Sequence, residues 1–323
     1  MNKNNMIKIT IAMAIYHPNL MWFREQLESL NNQTYNNIEI FIYNDCPNDG
    51  FEYVKFISKY LNRFPFKYLK GEKNLGSNKA FEFLTNIIES DYIAYCDQDD
   101  IWLPEKLEVL VKELEKENAD LLCSDMYVID KNSNVISDSV TKIRPHQKFY
   151  MGKNIFEYLS LHNFVTGCTM LVKSSVAKKA IPFSENYYHD WWIALNVAIE
   201  GKIKIIDRPL IKYRIHDTNQ SEFLKGIYSK NDYYLKWISL FNDRVLELTK
   251  LKLNKIQKQY VENLYLYAKC RVKYFNNSDI KNMFNLLKFR NINKKTTYFE
   301  IILPFLPEWL FKFIIMQIRK GKI

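Results

Sequence analysis

The chain has 323 residues, of which 47% are hydrophobic and 25% are charged. A chain of this size can bury a large core, and its 8 glycines and 9 prolines are too few for a collagen-like or low-complexity protein. Its net charge of +10 is uneven: residues 226–323 carry 19 Lys and Arg against 7 Asp and Glu, whereas residues 1–225 are nearly neutral. The basic charge is therefore confined to one region, and we expect no nucleic-acid partner.

The cysteine pattern and the N-terminus indicate the compartment. The five cysteines are widely spaced and include no CxxC pair, which argues against a disulfide framework or a zinc site and favours a reducing compartment. The first apolar run is short and lacks a small-residue cleavage site, so no secretion signal is predicted. We expect a cytoplasmic protein.

Strand-length apolar runs alternate with amphipathic helical segments over the first 100 residues. The predicted strands are Ile9–Ile15, Ile38–Tyr43, Phe66–Leu69 and Tyr92–Cys96. The predicted helices between them are Trp22–Leu30, Phe51–Leu61 and Ser77–Glu89. This alternation predicts an α/β fold with a largely parallel, doubly wound sheet, in which ligands bind at the carboxyl ends of the strands.

The pattern continues more loosely and then changes. Further predicted elements are a helix over Leu103–Glu117, strands over Asp120–Ile129, Phe164–Val172 and Lys202–Ile206, a polar loop over Asp130–Gln147, and a helix over Trp191–Ile199. Beyond about residue 225 the sequence consists of long helical segments rich in Tyr, Leu and Lys. We therefore expect two regions, a catalytic domain over 1–225 and a basic helical region over 226–323.

The apolar stretch at the end of the chain resembles a membrane segment, but Glu300, Glu308 and Lys312 interrupt it. These charges argue against a spanning helix and favour an interfacial helix that binds an anionic membrane surface. The alternative is a helix packed on the rest of the protein or on another copy, which leaves a homo-oligomer open.

Three carboxylates, Asp97, Asp99 and Asp100, follow the buried strand Tyr92–Cys96. Crowded like charges are unfavourable unless a cation or cationic ligand offsets them. In extended backbone Asp97 and Asp99 lie on the same side, so one could hold Mg²⁺ or Mn²⁺ while the other contacts a hydroxyl. The alternative is a solvated turn that caps the following helix.

Other candidate residues stand at the same predicted edge. Asp45 ends the second strand and could accept hydrogen bonds from a base or ribose, while Asn74 and Gly76 precede a helix whose N–H groups could face a nucleotide. Each is also ordinary turn or capping chemistry.

Asp190 lies beside Trp191 and Trp192 at the predicted start of a helix. In an apolar pocket its carboxylate could act as a general base. In solvent it would only cap the N-terminus of the helix. His216 is either a surface residue or a metal ligand. The sequence contains no GxSxG, HExxH, Walker A or GxGxxG motif, so serine hydrolase, zincin, P-loop and dinucleotide-binding functions are unsupported.

Taken in order, these motifs resemble the family 2 inverting glycosyltransferases of GT-A fold over residues 8–221. The segments DQDDIW (97–102), HDWW (189–192) and YRIH (213–216) are most similar to a bacterial rhamnosyltransferase-like subset that builds surface polysaccharide. The sequence departs from the family pattern at Asn44-Asp45-Cys46-Pro47, where the family usually has two aspartates followed by Gly-Ser. The resemblance therefore gives less information about the identity of the donor nucleotide.

The resemblance implies a role for each donor-side residue. Asp45 would contact the base, Asp97 the ribose or phosphates, and Arg214 would lie near the phosphates. Asn74 and Gly76 would also lie on the donor side.

On the metal and acceptor side, the resemblance implies that Asp99 binds a divalent metal, Mn²⁺ or Mg²⁺, and that His216 completes its site. Asp190 would be the catalytic base, with Trp191 and Trp192 near the acceptor.

The expected reaction is metal-dependent transfer of a sugar, from dTDP-rhamnose or a UDP-sugar, to a lipid-linked or polymeric glycan at the inner face of the cell membrane. A non-catalytic relative that binds nucleotide or glycan is one alternative. A sugar nucleotidyltransferase is another, although it would need a glycine-rich basic loop that residues 15–19 do not supply.

Overall fold

The computed structural model describes residues 6–144, 147–216 and 224–319. The chain divides into two compact units, Met1–Asp217 and Thr218–Ile323, called here the N-terminal and C-terminal units. The N-terminal unit is α/β and the C-terminal unit is helical.

The strands all belong to one sheet in the N-terminal unit. They are β1 (Ile9–Ile15), β2 (Ile38–Asn44), β3 (Phe66–Lys70), β4 (Tyr92–Cys96), β5 (Ile101–Trp102), β6 (Leu121–Ile129), β7 (Val135–Ser137), β8 (Met170–Lys173) and β9 (Ile203–Arg214). The helices of this unit are α1 (Leu20–Asn31), α2 (Tyr53–Tyr60), α3 (Ser77–Ile87), α4 (Lys106–Glu117), α5 (Val140–Ile143), α6 (Ile155–Leu161), α7 (Ser174–Lys179) and α8 (His189–Glu200).

The sheet order is β3-β2-β1-β4-β8-β6-β9-β5, with β7 paired to β6. The strands β3, β2, β1 and β4 pair in parallel, with Ile9 opposite both Ile38 and Tyr92. All residues of β1 except Ala14 are buried, which is why this strand reads as a continuous apolar run. The carboxyl ends of β1, β2 and β4 therefore meet at one edge, as the alternation predicts.

Three predicted elements differ from the structure. The strand predicted over Phe164–Val172 is reduced to β8, because a 3₁₀ turn over Gly167–Thr169 precedes it. The predicted loop 130–147 contains β7 and α5. The strand predicted over Lys202–Ile206 continues as β9 to Arg214, because pairing with β6 resumes at Pro209 after a register shift.

The C-terminal unit consists of helices with their own small core. Its helices are α9 (Lys230–Tyr233), α10 (Leu240–Thr249), α11 (Lys255–Asn276), α12 (Ile280–Leu287), α13 (Lys294–Ile302) and α14 (Glu308–Arg319). A π-helical turn over Tyr234–Ser239 joins α9 to α10. Among the helices of the described residues, none combines the length and the apolar character that crossing a membrane requires.

Candidate active site

The acidic segment Asp97–Asp100 connects β4 to β5 at the carboxyl edge of the sheet. Gln98 fixes this turn against the end of β1: its Oε1 accepts from Tyr16 N at 2.8 Å and its Nε2 donates to Tyr16 O at 3.1 Å. The turn is therefore held between two parallel strands, and its carboxylates are presented at their common end.

Asp99 and His216 form a close pair. The Oδ2 atom of Asp99 lies 2.8 Å from Nε2 of His216, and the His216 ring packs on the Trp22 indole with centroids 4.9 Å apart. The two residues are 117 positions apart in sequence, and strand β9 brings them together.

Arg214 is a buried residue that holds the same turn in place by hydrogen bonds. It has no exposed surface, and its Nε donates to Asp99 O at 2.8 Å while its backbone N donates to Asp100 Oδ1 at 2.9 Å. The guanidinium also pairs with Glu25 at 2.6 Å. Arg214 was expected beside the donor phosphates, and in the structure its guanidinium is enclosed by these partners.

Asp97 and Asp100 lie in a strongly acidic environment. Burial, and then the charges of Asp99 and Asp190, raise the pKa of Asp97 to about 7. Burial, and then the charges of Asp99 and Asp97, also raise the pKa of Asp100, and its Oδ2 lacks a donor in regular hydrogen-bond geometry among the described residues. Ligand atoms of Asp97, Asp100 and Cys168 lie within 4.8 Å of one another, so this pocket can accept a cation.

A buried lysine lies beneath these carboxylates, and sequence reasoning missed it. Lys106 is fully buried in α4, and its Nζ donates to Cys168 O at 2.6 Å. Burial lowers the pKa of its ammonium to about 7, opposed by Cys168, Cys96, Asp100 and Asp97. The helical spacing of the sequence could have revealed it, because Lys106 lies on the same face of α4 as the buried residues Leu110 and Leu114.

Asp190 faces the acidic turn from the first turn of α8. Its Oδ2 accepts from Gly167 N at 2.9 Å and its Oδ1 from Trp191 N at 2.5 Å. Burial raises its pKa to about 6, although these hydrogen bonds oppose the rise. Because Asp190 binds Gly167 N and the neighbouring Cys168 sulfur lies within 4.8 Å of the Asp97 carboxylate, Asp190 lies close to the acidic turn.

Gly167 and His189 set the close approach of the 3₁₀ turn to α8. A Cβ on Gly167 would lie 2.7 Å from His189 Nε2. The His189 ring is held between Phe81 and Tyr95, with centroids 4.2 and 5.2 Å away. Burial lowers the pKa of His189 to about 3, so this histidine is a neutral packing residue.

The two tryptophans of the HDWW segment are anchored through their indole N–H groups. Trp191 is half-buried and donates to Leu159 O at 2.6 Å. Trp192 is buried and donates to Ala180 O at 2.9 Å. Both therefore also fix α8, which carries Asp190.

The residues expected on the donor side form one connected loop. The carboxylate of Asp45 accepts from Leu75 N at 2.6 Å and Gly76 N at 2.8 Å, and Asn74 Oδ1 accepts from Gly76 N at 3.0 Å. Gly76 has φ +77° and caps the start of α3. The structure brings Asp45, Asn74 and Gly76 together at the end of β2.

A family model for glycosyl transferase family 2 matches residues 11–179, which include the acidic turn and the 3₁₀ turn. The chain belongs to this family. The predicted glycosyltransferase class is confirmed, while the match does not address the rhamnosyltransferase-like subset.

Two curated relatives support the family assignment. An uncharacterised glycosyltransferase of Methanocaldococcus jannaschii is 32% identical over 232 residues, which cover 70% of this chain and 76% of the relative. The Escherichia coli enzyme WfgD, a UDP-Glc:alpha-D-GlcNAc-diphosphoundecaprenol beta-1,3-glucosyltransferase, is 25% identical over 60% of this chain and 72% of its own.

Solved structures confirm the predicted fold class. A crystal structure of S. aureus TarS superposes with a TM-score of 0.58 at 15% identity, covering 90% of this chain and 82% of that one. The mannosyltransferase PcManGT of Pyrobaculum calidifontis gives 0.52 at 11% identity, covering 90% and 74%. The glycosyltransferase thus has a GT-A α/β fold with C-terminal helices.

Proposed function

We propose that this glycosyltransferase is an inverting, metal-dependent enzyme that moves a sugar from a pyrimidine nucleotide donor to a glycan acceptor. The observation that carries the proposal is the contact of Asp190 with Gly167 N at 2.9 Å, next to Cys168, whose sulfur lies within 4.8 Å of the Asp97 carboxylate. A candidate base and a candidate donor-phosphate site thus lie close together.

The residues of the acidic turn fit a divalent cation. Asp99 Oδ2 and His216 Nε2 lie 2.8 Å apart, and adjacent ligands of an octahedral ion at about 2.1 Å lie about 3.0 Å apart. We propose Asp99 and His216 as the holders of Mn²⁺ or Mg²⁺, with Asp97 beside the donor ribose and phosphates. A bound divalent ion offsets the negative charge that develops on the departing nucleoside diphosphate.

Asp190 is the proposed catalytic base. Its carboxylate takes the proton of the acceptor hydroxyl while the hydroxyl oxygen forms a bond to the anomeric carbon. The bond from that carbon to the nucleotide phosphate breaks with its electron pair, so one displacement from the opposite face inverts the anomeric centre. Gly167 N–H and Trp191 N–H orient the carboxylate for this transfer, and Trp191 lies on the acceptor side.

The remaining roles follow from position. Asp45, with Asn74 and Gly76, is proposed to border the donor base, because its hydrogen bonds order that loop. Arg214 is proposed to position the acidic turn, and thereby the residues that bind the donor, rather than to contact the donor itself.

The finer identity of donor and acceptor is also a proposal. The resemblance to the rhamnosyltransferase-like subset supports dTDP-rhamnose. WfgD is named for a UDP-glucose donor and a lipid-diphosphate acceptor, and TarS has been solved with UDP-GlcNAc, which supports a UDP-sugar. PcManGT has been solved with GDP-Man and Mn²⁺, which supports the metal. A lipid-linked or polymeric glycan is the proposed acceptor.

A thermal-shift panel tests the donor and the metal together. The panel contains dTDP-rhamnose, UDP-glucose, UDP-GlcNAc and GDP-mannose, each with and without Mn²⁺. A ligand at a hundred times its Kd stabilises the folded state by about 2.7 kcal/mol, so we expect a raised Tm for one pyrimidine donor only with Mn²⁺.

The Asp99→Asn variant should lose this metal-dependent shift, whereas Asp138→Asn, at an exposed carboxylate, should keep it. Equal shifts with and without Mn²⁺ in the wild type would contradict the metal assignment, and the absence of a shift with every donor would contradict the proposed donor site.

We also propose that the C-terminal unit binds an anionic membrane surface. Trp309, Phe313 and Met316 are 70%, 51% and 42% exposed, and their spacing of four and three residues places them on one face of α14. Phe305, just before this helix, is 74% exposed. Residues 226–323 carry the excess of Lys and Arg, so exposed aromatic side chains accompany a charge that attracts anionic lipid.

A further inference from the structure

Three potential metal ligands meet at the ends of β1 and β2, outside the acidic turn. Ile15 pairs with Asn44 in the parallel register, and Asp45 N continues the ladder by donating to Ile15 O at 2.9 Å. His17 and Cys46 each lie two residues beyond that last pair. Their side chains meet, with Cys46 Sγ 3.1 Å from His17 Nε2.

Asp49 supplies the third ligand. Ligand atoms of His17, Cys46 and Asp49 all lie within 4.8 Å of one another. Asp49 Oδ1 accepts from Phe51 N at 3.3 Å, while its Oδ2 is buried without a donor in regular hydrogen-bond geometry among the described residues, although the Tyr53 hydroxyl lies beside this carboxylate and its pKa is raised by burial and then by Asp49. A buried carboxylate oxygen that lacks a well-placed donor is unfavourable, and a cation at this point would reduce that cost.

The chemistry of this set differs from that of the acidic turn. Thiolate, imidazole and carboxylate together are ligands of Zn²⁺, whereas Mg²⁺ and Mn²⁺ prefer oxygen. Zn–S and Zn–N bonds of about 2.3 and 2.0 Å place sulfur and nitrogen about 3.5 Å apart in a tetrahedron. A small movement from the 3.1 Å contact between Cys46 and His17 achieves this distance.

The site is accessible from solvent. His17 is exposed, and Asp49 borders an open cleft of about 490 Å³ that is also lined by Tyr68 and Lys70. Because His17 is exposed and Asp49 borders this cleft, an ion can reach two of the three ligands from solvent.

We propose that His17, Cys46 and Asp49 form a Zn²⁺ site separate from the Asp99 and His216 pair. Binding converts the Cys46 thiol to a thiolate and releases its proton to solvent. The ion would link the end of β1 to the turn after β2, so Zn²⁺ should stabilise the folded chain.

Calorimetric titration of the metal-free full chain with Zn²⁺ tests the proposal. We expect one equivalent to bind at this site with release of a proton, seen as a dependence of the heat on the buffer, and to raise the Tm; a second equivalent bound by Asp99 and His216 would be absent in Asp99→Asn. Because loss of an outer-shell partner alone costs 10- to 100-fold in affinity, Cys46→Ser and His17→Gln should each weaken Zn²⁺ binding at least about a hundredfold. Co²⁺ in place of Zn²⁺ should give a thiolate-to-cobalt charge-transfer band that Cys46→Ser removes.

Two matched variants serve as controls. Cys270→Ser removes a half-buried thiol elsewhere and should bind Zn²⁺ like the wild type, whereas Asp99→Asn alters the other proposed metal site and should keep the equivalent that depends on Cys46. Wild-type affinity in Cys46→Ser or His17→Gln, or loss of the site in Asp99→Asn, would overturn the proposal. If Cys46→Ser fails to fold, His17→Gln and the cobalt charge-transfer band of the wild type still test the site. His17 is exposed, so its substitution should leave the fold intact.

Discussion

At the scale of single residues, the environment of Asp190 matches the task of a general base. Burial raises its pKa to about 6, so the carboxylate is mostly ionised at neutral pH but is more basic than a solvated aspartate. The N–H groups of Gly167 and Trp191 bind the charged form, which keeps the pKa from rising further.

The first prediction concerns Asp190→Asn. The amide keeps the size of the side chain but cannot take a proton, so kcat should fall by about 10²- to 10⁴-fold. Donor Kd should stay within about twofold, because the base acts on the acceptor. Product formation and donor binding are measured on the same preparation, with Asp138→Asn as the control. Turnover at the wild-type rate would remove Asp190 from the mechanism.

The second prediction is the pH dependence of kcat. The base must be deprotonated, so with saturating Mn²⁺ and substrates kcat should fall as the pH drops through about 6, approaching tenfold per pH unit. The residual activity of Asp190→Asn should have a weaker acid limb, which belongs to Asp97, whose pKa is raised by burial to about 7. A wild-type kcat that stays constant to pH 4.5, with the protein still folded, would exclude Asp190 as the titrating group.

At the scale of elements, the packing of the 3₁₀ turn on α8 determines the position of the base. Gly167 donates its N–H to Asp190. Because it has no Cβ, it also leaves room for the His189 ring. The His189 ring packs between Phe81 and Tyr95 and its Nε2 atom is buried, so a Cβ at position 167 would have to displace it.

The third prediction is that the added Cβ in Gly167→Ala pushes the 3₁₀ turn away from α8. We expect the free energy of unfolding in urea to fall by about 1–3 kcal/mol, and kcat to fall because Asp190 loses its N–H donor. Replacing His189 with Asn in the Gly167→Ala background should restore part of the stability. If Gly167→Ala unfolds like the wild type, the contact with His189 does not constrain this turn.

The fourth prediction concerns a buried ion pair in the C-terminal unit. Arg271 of α11 binds Glu300 of α13 through Nε at 2.8 Å and Nη2 at 2.5 Å, and both side chains are 2% exposed. Arg271→Met leaves a buried carboxylate without its cation and should destabilise this unit by about 3–5 kcal/mol.

The double variant Arg271→Met with Glu300→Leu should recover much of that loss, because neither charge remains buried. Urea denaturation of the single variants and the double variant gives the coupling free energy. Strictly additive effects would mean that the pair does not act as a unit.

At the scale of the whole molecule, the fifth prediction tests the membrane surface by substitution on α14. Deleting the chain from Thr297 onward would also remove the buried Glu300 that pairs with Arg271, so loss of binding could reflect unfolding. Trp309→Ser with Phe313→Ser changes only exposed side chains and should greatly reduce co-sedimentation with anionic vesicles.

Binding of the wild type should also weaken with added salt and with neutral lipid. The matched control is Ile256→Ser, which removes an exposed apolar side chain from α11. Equal sedimentation of wild type and the α14 variant would exclude this helix as the anchoring face.

The sequence alone determined most of the N-terminal sheet and the identity of the family. β1 and β4 have the predicted bounds, because a strand buried on both faces reads as an unbroken apolar run. The acidic turn could be located because it follows such a strand directly. The strand predicted over Phe164–Val172 was partly wrong, since apolar residues of a buried 3₁₀ turn look like strand residues.

Only the tertiary structure decided which side chains meet. The resemblance implied that His216 joins Asp99, but their 2.8 Å contact across 117 residues is made by strand order, which no local pattern encodes. The same holds for the buried Lys106 beneath the acidic turn and for His17 beside Cys46. Local periodicity fixes elements, whereas the pKa values and ligand sets of a site depend on burial and on distant neighbours, which exist only once the sheet has formed.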